Sequence, residues 1–441
     1  MKLPGVNQFF ESLGGDTAEW LRAVLARADS EGLSVYAVGG PVRDLLLDRG
    51  LRDVDLLVEG AELGKWVAAV APSDARVTRH ERFGTARVEF GEVRIDFSGA
   101  RRETYADAGS LPRVAPGSLE EDLKRRDFSV NALALPLSRP ALDKHPRLID
   151  LEDGLSDLTS RKLRILHPRS FHDDPTRILR AARLGPRLGF SLTRGSHAAL
   201  RSALRDGAFG RVSGDRLRRE IVKLFDDARF GLDPSRAIRA LSDWLVLGAL
   251  EPGLEFTAES VVPVRRLGRA INEPPWHTTR WLSWVSGLSV VLAPLPPALR
   301  RRVVRRLSIR GEMARCVTQF PTARDGWLRS LPRARGRGSI DHLLAPLSEE
   351  ELHALYAFAD PKARRRISRF ALEDRARRIP VGGADLMKLG LEGPSLGRAL
   401  SRIRTAYLDG AVKSRDEALA LAREIGRGRG SAKRKPKGRR R

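Results

Sequence analysis

The chain holds one cysteine, Cys316, in 441 residues. A lone thiol excludes an internal disulfide and any cysteine-based zinc site, and it suits a reducing compartment. No run of 18 apolar residues occurs, so no segment has the hydrophobic length that a membrane-crossing helix needs. The opening residues, Met1-Lys2-Leu3-Pro4, lead into Glu11, Asp16 and Glu19 rather than into a charged-then-apolar leader. The expected location is therefore the cytoplasm. Aromatic residues make up only 6% of the chain, and acids are outnumbered, 55 against 80 Lys and Arg, for a net charge of +25. The final KRKPKGRRR carries seven of those positive charges, and removing them leaves +18 on the rest. A polyanionic partner fits this excess, with binding that weakens as salt rises. An arginine-rich genome composition produces a similar excess, and charge alone does not separate RNA from DNA. The 41% hydrophobic content supports a core, and the length allows two to four domains.

Two patterns divide the chain. Residues 33–135 read as mixed strand and helix, with strands expected at 35–38, 54–58, 85–90 and 93–97. The last two are joined by a hairpin turn at Gly91-Glu92. After about residue 168 apolar residues recur at helical spacing, at 177–184, 216–225, 236–250 and 300–307, punctuated by Pro and Gly near 273–275, 294–297 and 333–338. Gly185-Pro186 is expected to end or kink the first of those helices. Residues 426–441 are too polar to fold alone. The fold class is thus α+β, a small head with a mixed sheet followed by an all-helical body.

The richest stretch is Val38-Gly39-Gly40-Pro41-Val42-Arg43-Asp44, followed by Asp53-Val54-Asp55. A Gly-Gly turn takes a short strand into a helix, where missing Cβ atoms let a phosphate chain approach backbone N–H groups, and Arg43 lies one turn inside. Alternation on the next strand aims Asp53 and Asp55 the same way. Two carboxylates that close want a cation between them, and hard oxygen donors suit Mg²⁺. The combination reads as a metal-dependent phosphoryl-transfer site. Asp96, on the 93–97 strand, either completes that site as a third acid or pairs with Arg94 or Arg101. In Arg125-Arg126-Asp127-Phe128-Ser129-Val130-Asn131-Ala132 the arginines can neutralise a triphosphate and Asp127 can accept from a ribose hydroxyl, with Phe128 and Val130 as core anchors.

Asp174, Arg177, Arg180 and Arg183 are spaced by three, as a stripe on one helical face. Cytosine and adenine each present an amino donor beside a ring-nitrogen acceptor. Asp174 can accept from the first and Arg177 can donate to the second, whereas uracil and guanine reverse both. The other reading of the same residues is a helix start, with Asp174 as the cap, Pro175 at the first position and the arginines in solvent.

The order of strand, Gly-Gly turn, Arg-Asp helix and Asp-x-Asp strand resembles the head of the class II tRNA nucleotidyltransferase (CCA-adding enzyme) and bacterial poly(A) polymerase family, in the polymerase-β-like superfamily. RRDFSVNA is similar to the family's RRDFTxNA, with Ser129 in place of Thr, and Asp173-Asp174-x-x-Arg177 to its [Glu/Asp]-Asp-x-x-Arg motif. Phe83–Ala86, Arg102–Tyr105, Leu188–Phe190, Val381–Leu386 and Tyr407–Gly410 extend the likeness. It covers residues 33–225 well and 380–425 fairly, and leaves 255–375 unmatched.

The resemblance implies an enzyme that adds CCA to the 3′ end of tRNA from CTP and ATP and releases pyrophosphate. Asp53 and Asp55 would hold two Mg²⁺, Asp96 would assist, Gly40 and Arg43 would position phosphates, and Arg126 and Asp127 would contact sugar and phosphates. Asp174 and Arg177 would read the base, with Arg180 and Arg183 ordering the pocket. Arg301, Arg302, Arg305 and Arg306 form a basic stripe expected to grip RNA. Expected divisions are a helical extension at 1–32, the catalytic head at 33–145, a base-recognising neck at 146–255, a tRNA-binding body and tail at 256–425, and a disordered basic tail at 426–441. Neither a membrane nor an obligate protein partner is called for. Glu81-Arg82-Phe83-Gly84 departs from the poly(A) polymerase Gly-Arg-Arg-Phe signature, and the near full-length 98–124 segment argues against CC-only addition. A-only addition stays open. A different class of reading is a non-catalytic RNA-binding protein on the same fold, against which intact Asp53 and Asp55 argue.

Overall fold

The computed structural model describes residues 3–427, except 52, 81–84, 91–92, 106, 108, 111 and 278–282. The expected turn at Gly91-Glu92, the Glu81–Gly84 signature and the basic tail beyond 427 therefore lie outside the described residues. The chain divides into two compact units, one of residues 1–217 with 243–250 and one of 218–242 with 251–441.

The first unit is built on a seven-stranded sheet. Its strands are β1 (Ser34–Val38), β2 (Asp53–Glu59), β3 (Arg76–His80), β4 (Thr85–Phe90) and β5 (Val93–Gly99), then β8 (Leu133–Pro136) and β9 (Ile149–Asp150). Between these come β6 (Arg101–Thr104) and β7 (Arg113–Pro116), which form a separate antiparallel pair. The sheet order is β3-β4-β5-β2-β1-β8-β9, with β2 and β5 parallel and the other neighbours antiparallel. β1 lies inside the sheet and all five of its residues are buried, which explains its unbroken apolar run.

β2, β5 and β4 alternate instead. Val54, Leu56, Ile95, Phe97, Ala86 and Val88 are buried on one face, leaving the polar residues on the other. Phe97 meets Trp20 and Trp66 edge-on, from helices Gly15–Ser30 and Leu63–Val70. Behind β1, Tyr36, Val38 and Leu57 pack with Leu119 and Leu123 of the helix Leu119–Lys124, whose start is fixed by a Ser118–Glu121 capping box. The strands β3 and β6–β9 carried no pattern strong enough to be expected from sequence.

Helix Thr176–Leu188 runs through Pro186, where an early end or kink was expected. Pro186 sits in the last turn, with only two helical residues after it, so the bond it forfeits leaves little helix to break or redirect. Gly189, in the left-handed region at φ 75, then closes the helix, with the N–H groups of Gly189 and Phe190 both donating to the Gly185 carbonyl at 2.9 Å. The helix expected over 236–250 is broken: Pro234–Asp243 and Val246–Leu250 flank Leu245, whose φ of 62 cannot continue a right-handed helix. At the C-terminal end, Gly426 and Arg427 belong to the helix Arg415–Arg427 rather than to an unfolded tail.

The second unit is helical. One of its cores gathers Val381, Leu386, Leu391, Ala399, Ile403, Val412, Ala418 and Ala422. None of the described helices is long and apolar enough to cross a membrane. His353 is fully buried, its ring 4.9 Å from that of Trp276. Burial outweighs a backbone hydrogen bond at Leu267 and brings the imidazole from 6.5 down to about 3. The unfolded chain therefore binds a proton that the folded chain refuses, and stability falls as pH drops through 6.5 toward 3. Between pH 6.5 and 5 this one group should cost about 1.5 kcal/mol. Urea unfolding of the wild type and His353→Leu across that range checks it: the wild type should lose stability more steeply, and equal slopes would refute the assignment.

Candidate active site

The site is assembled on the polar face of β2, β5 and β4 and on the turn after β1. Register places Asp55 beside Asp96 and Asp53 beside Arg94, while on the other side of β5 Arg87 opposes Asp96 and Glu89 opposes Arg94. All six side chains share one face because the intervening residues are the buried ones. Asp55 is half-buried, whereas Asp53 is exposed. Burial, with Asp96 and Asp53 adding to it against the opposing pull of Arg126 and Arg94, pushes its carboxyl up to about 6. Asp53 is held by Arg94 (Nη2 to Oδ1, 2.6 Å), and Asp96 accepts from Arg87 (Nε to Oδ1, 2.7 Å; Nη2 to Oδ2, 3.2 Å). Arg94 Nε lies 3.8 Å from Asp96 Oδ2.

Asp96 thus pairs with Arg87 and, more loosely, with Arg94; of the two partners weighed from sequence, Arg101 instead faces Glu103 at 3.5 Å. Arg87 was legible in principle, since a hairpin that pairs residue 90 with residue 93 sets it opposite Asp96. Among the described residues no three His, Cys, Asp or Glu side chains converge as a ligand set.

The turn after β1 needs glycine. Gly39 has φ 76, and its N–H donates to Leu133 O at 3.0 Å. A Cβ there would collide with the Arg126 guanidinium. Helix Gly40–Leu46 follows directly. Arg43 is only 4% exposed, and its Nη1 donates to Asn131 Oδ1 at 2.5 Å while its Nε donates to Asp44 Oδ1 at 2.8 Å. Burial lowers its pKa despite the Asp44 charge. Arg43 therefore ties this helix to the RRDFSVNA segment.

In that segment Arg125 and Arg126 are both anchored on the fully buried Asp122, at 2.5 and 2.9 Å. Phe128 and Val130 are buried as anchors. Asp127 is also buried. That burial opposes its charge, but Arg180, the Asn131 amide, Arg177 and the Phe128 N–H hold its carboxyl below the usual range. Arg180 reaches Asp127 Oδ2 at 2.9 Å.

The helix stripe is less exposed than its spacing suggests. Arg177 is 4% exposed and donates from Nη1 to Ser170 Oγ (2.6 Å) and from Nη2 to Arg125 O (2.8 Å), which leaves each terminal nitrogen one further N–H. The helix begins at Thr176 with Pro175 as its cap residue. Asp174, expected as the cap, precedes it and accepts through Oδ1 from the Thr176 N–H (3.0 Å) and hydroxyl (2.6 Å). A third donor to that oxygen is Arg216 Nη2 at 2.7 Å, and Arg216 Nη1 also holds Gly109 O at 2.8 Å. Oδ2 of Asp174 accepts from none of the described residues. Arg183 is half-buried on the same helix.

Arg216 was not foreseen, and no local signal marks it. Tyr105 was quoted only as part of a similar stretch. Its hydroxyl donates to Glu103 Oε2 at 3.0 Å, and burial raises its pKa, with Arg177 and Asp174 both near enough to act on it.

In the second unit, Arg301 and Arg305 on helix Pro297–Arg306 are exposed, whereas Arg302 is engaged by Glu251 (2.6 Å) and Arg306 is half-buried.

The poly A polymerase head domain family matches residues 35–164. The A-adding tRNA nucleotidyltransferase of Halalkalibacterium halodurans is 30% identical over 94% of this chain and 94% of its own length, and the CC-adding tRNA nucleotidyltransferase of Deinococcus radiodurans 31% over 95% and 96%. The chain belongs to the tRNA nucleotidyltransferase family. It also matches the A-adding tRNA nucleotidyltransferases of Geobacter sulfurreducens (30% over 92% of this chain) and Aquifex aeolicus (31% over 86%). It spans only about half the length of those two, 47% and 45%.

Solved structures of similar fold include the Thermotoga maritima CCA-adding enzyme complexed with tRNA_CCA, with TM-score 0.69, 26% identity, and 97% of this chain and 100% of that one covered. Complexes of CCA-adding enzyme with CTP (0.70, 26%, 95% and 98%) and with ATP (0.72, 25%, 99% and 99%) are similar as well.

A tRNA nucleotidyltransferase works with divalent metal ions. The donors here suit one: they are hard carboxylate oxygens, and Asp55 is a half-buried acid whose ionisation two neighbouring acids oppose, a strain that a dication would relieve. Asp53 and Asp55 would hold it, once Asp53 leaves Arg94.

Gly39→Ala should cost about 1–2 kcal/mol from the positive φ alone. It should also push Arg126 off Asp122 and depress nucleotide incorporation; an unshifted melting temperature with full incorporation would refute this role for the turn.

Proposed function

We propose that the chain is a template-independent RNA nucleotidyltransferase that adds CCA to the 3′ end of tRNA from CTP and ATP, releasing pyrophosphate, with Mg²⁺ as the metal. The observation that carries base choice is the state of Asp174. Three donors fill Oδ1, so the carboxylate is fixed in orientation and Oδ2 remains to accept from an exocyclic amine. Arg177, buried and braced by Ser170 and the Arg125 carbonyl, keeps N–H groups for a ring nitrogen. A carboxylate acceptor beside a guanidinium donor matches cytosine and adenine and opposes uracil and guanine.

Asp53 and Asp55 hold two Mg²⁺ and Asp96 assists. Mg²⁺, when bound, lowers the pKa of the tRNA 3′-hydroxyl and offsets triphosphate charge. Gly40 and Arg43 set the turn along which phosphates lie. Arg126, anchored by Asp122, faces the same acids, and Asp127 contacts the ribose. Arg180 and Arg183 order the pocket. Arg301 and Arg305, with Arg302 and Arg306 beside them, contact tRNA phosphates through salt-sensitive pairs.

A-addition alone is the second reading, favoured by the likeness to three A-adding relatives. The two separate on tRNAs ending before CCA and after CC, each given labelled CTP or ATP. CCA addition requires both nucleotides to enter in order, and label from ATP alone on the CC-ended tRNA supports the second reading.

Asp55→Asn should lower incorporation at least about 10³-fold, as loss of a metal ligand does, with tRNA binding by gel shift within about twofold. Near-normal incorporation would sink the metal assignment. Asp174→Ala should admit UTP and GTP at rates within about tenfold of CTP and ATP, leaving at most about 1.4 kcal/mol of discrimination. Unchanged selectivity would remove Asp174 from base choice.

A further inference from the structure

Arg94 stands between two carboxylates on neighbouring strands. Register sets it opposite Asp53 on β2 and opposite Glu89 on β4, with all three on the polar face. In the structure its Nη2 is on Asp53 at 2.6 Å, and its Nε, 3.8 Å from Asp96, is buried without a hydrogen-bond partner. Among the described residues Glu89 makes no close ion pair: Arg76 lies 4.0 Å away, with both of those side chains well exposed, and Arg87 acts on it through space. Arg94 thus makes one close contact, leaves a buried donor unsatisfied, and has a second acid within the span of its side chain on the opposite strand.

We propose that Arg94 is a displaceable counter-ion of the metal site, holding Asp53 until a divalent cation takes its place and then crossing the sheet face to Glu89. The proposal rests on the reading of Asp53 and Asp55 as metal ligands, and adds the residue that sets how readily they load. A guanidinium and a dication cannot both sit on the Asp53 carboxylate without repulsion, so the cation must displace Arg94. Asp53, Asp55, Asp96 and Glu89 outnumber Arg87 and Arg94 on the face, and still outnumber them when Arg126, which acts on Asp55 through space, is added, so the ionised acids attract a further cation. With Glu89 as the alternative partner, Arg94 stays on the face instead of being released into solvent, and the exchange trades one ion pair for another.

The test is Mn²⁺ binding to the full chain, followed by electron paramagnetic resonance without nucleotide or RNA, so that catalysis is not the readout. Arg94→Met should bind Mn²⁺ about fivefold more tightly than the wild type, the scale of one half-exposed ion pair. Glu89→Gln should bind it about twofold more weakly, and in the Arg94→Met background the same change should have no effect. Unchanged or weaker binding by Arg94→Met, with its melting temperature preserved, overturns the proposal. Asp55→Asn serves as the control for the underlying site: if it binds Mn²⁺ as the wild type does, the metal reading itself fails, and Arg94 with it.

Discussion

Like-charge repulsion among carboxylates on one sheet face is the constraint that organises this protein's head. Parallel pairing of β2 with β5 sets Asp55 beside Asp96, and alternation adds Asp53 two residues away. Nothing in a β-sheet favours such a concentration. It persists because buried apolar residues on the reverse face, Val54, Leu56, Ile95 and Phe97 among them, fix both strands in register. The acids are then left to find compensation, and they find it in Arg94, in Arg87 and, through space, in Arg126. Asp55, half-buried between Asp53 and Asp96, bears the cost as a raised pKa.

The same logic of buried charge runs through the rest of the unit. Asp122 is fully buried yet carries Arg125 and Arg126, and Asp127 is buried yet carries Arg180 and the Asn131 amide. Removing one partner of such a pair would strand the other without water, so the network is rigid for as long as it is complete. Rigidity matters here because the functional groups point inward from several elements: the Gly39 turn, the RRDFSVNA segment, and the helix Thr176–Leu188. Arg43 links the first two through Asn131, and Arg177 links the last two through the Arg125 carbonyl. The Gly39 turn and the Asp174 carboxylate are thereby held in one frame without any single element spanning both.

Local rules were enough for much of this. Period-two alternation placed Asp53 and Asp55 on one face, the glycine pair marked the turn whose Gly39 has φ 76, and helical spacing buried Ile178, Leu179 and Ala182. Local rules misjudged Pro186, because they price a proline in a helix interior and this one falls in a final turn closed by Gly189. They also misjudged Leu245, where a positive φ interrupts an apolar pattern that by itself reads as one helix.

What the sequence determined unaided is therefore chemistry and local direction: which residues are acids, which face of a strand or helix they take, and where the backbone must turn. What only the tertiary structure decided is partnership. That Arg94 meets Asp53, that Arg216 grips Asp174 from 42 residues away, and that Arg43 and Arg177 are buried rather than exposed all follow from strand order and helix packing. The physical reason is that a charge acts through space, and no spacing along the chain states which distant charge will be brought beside it.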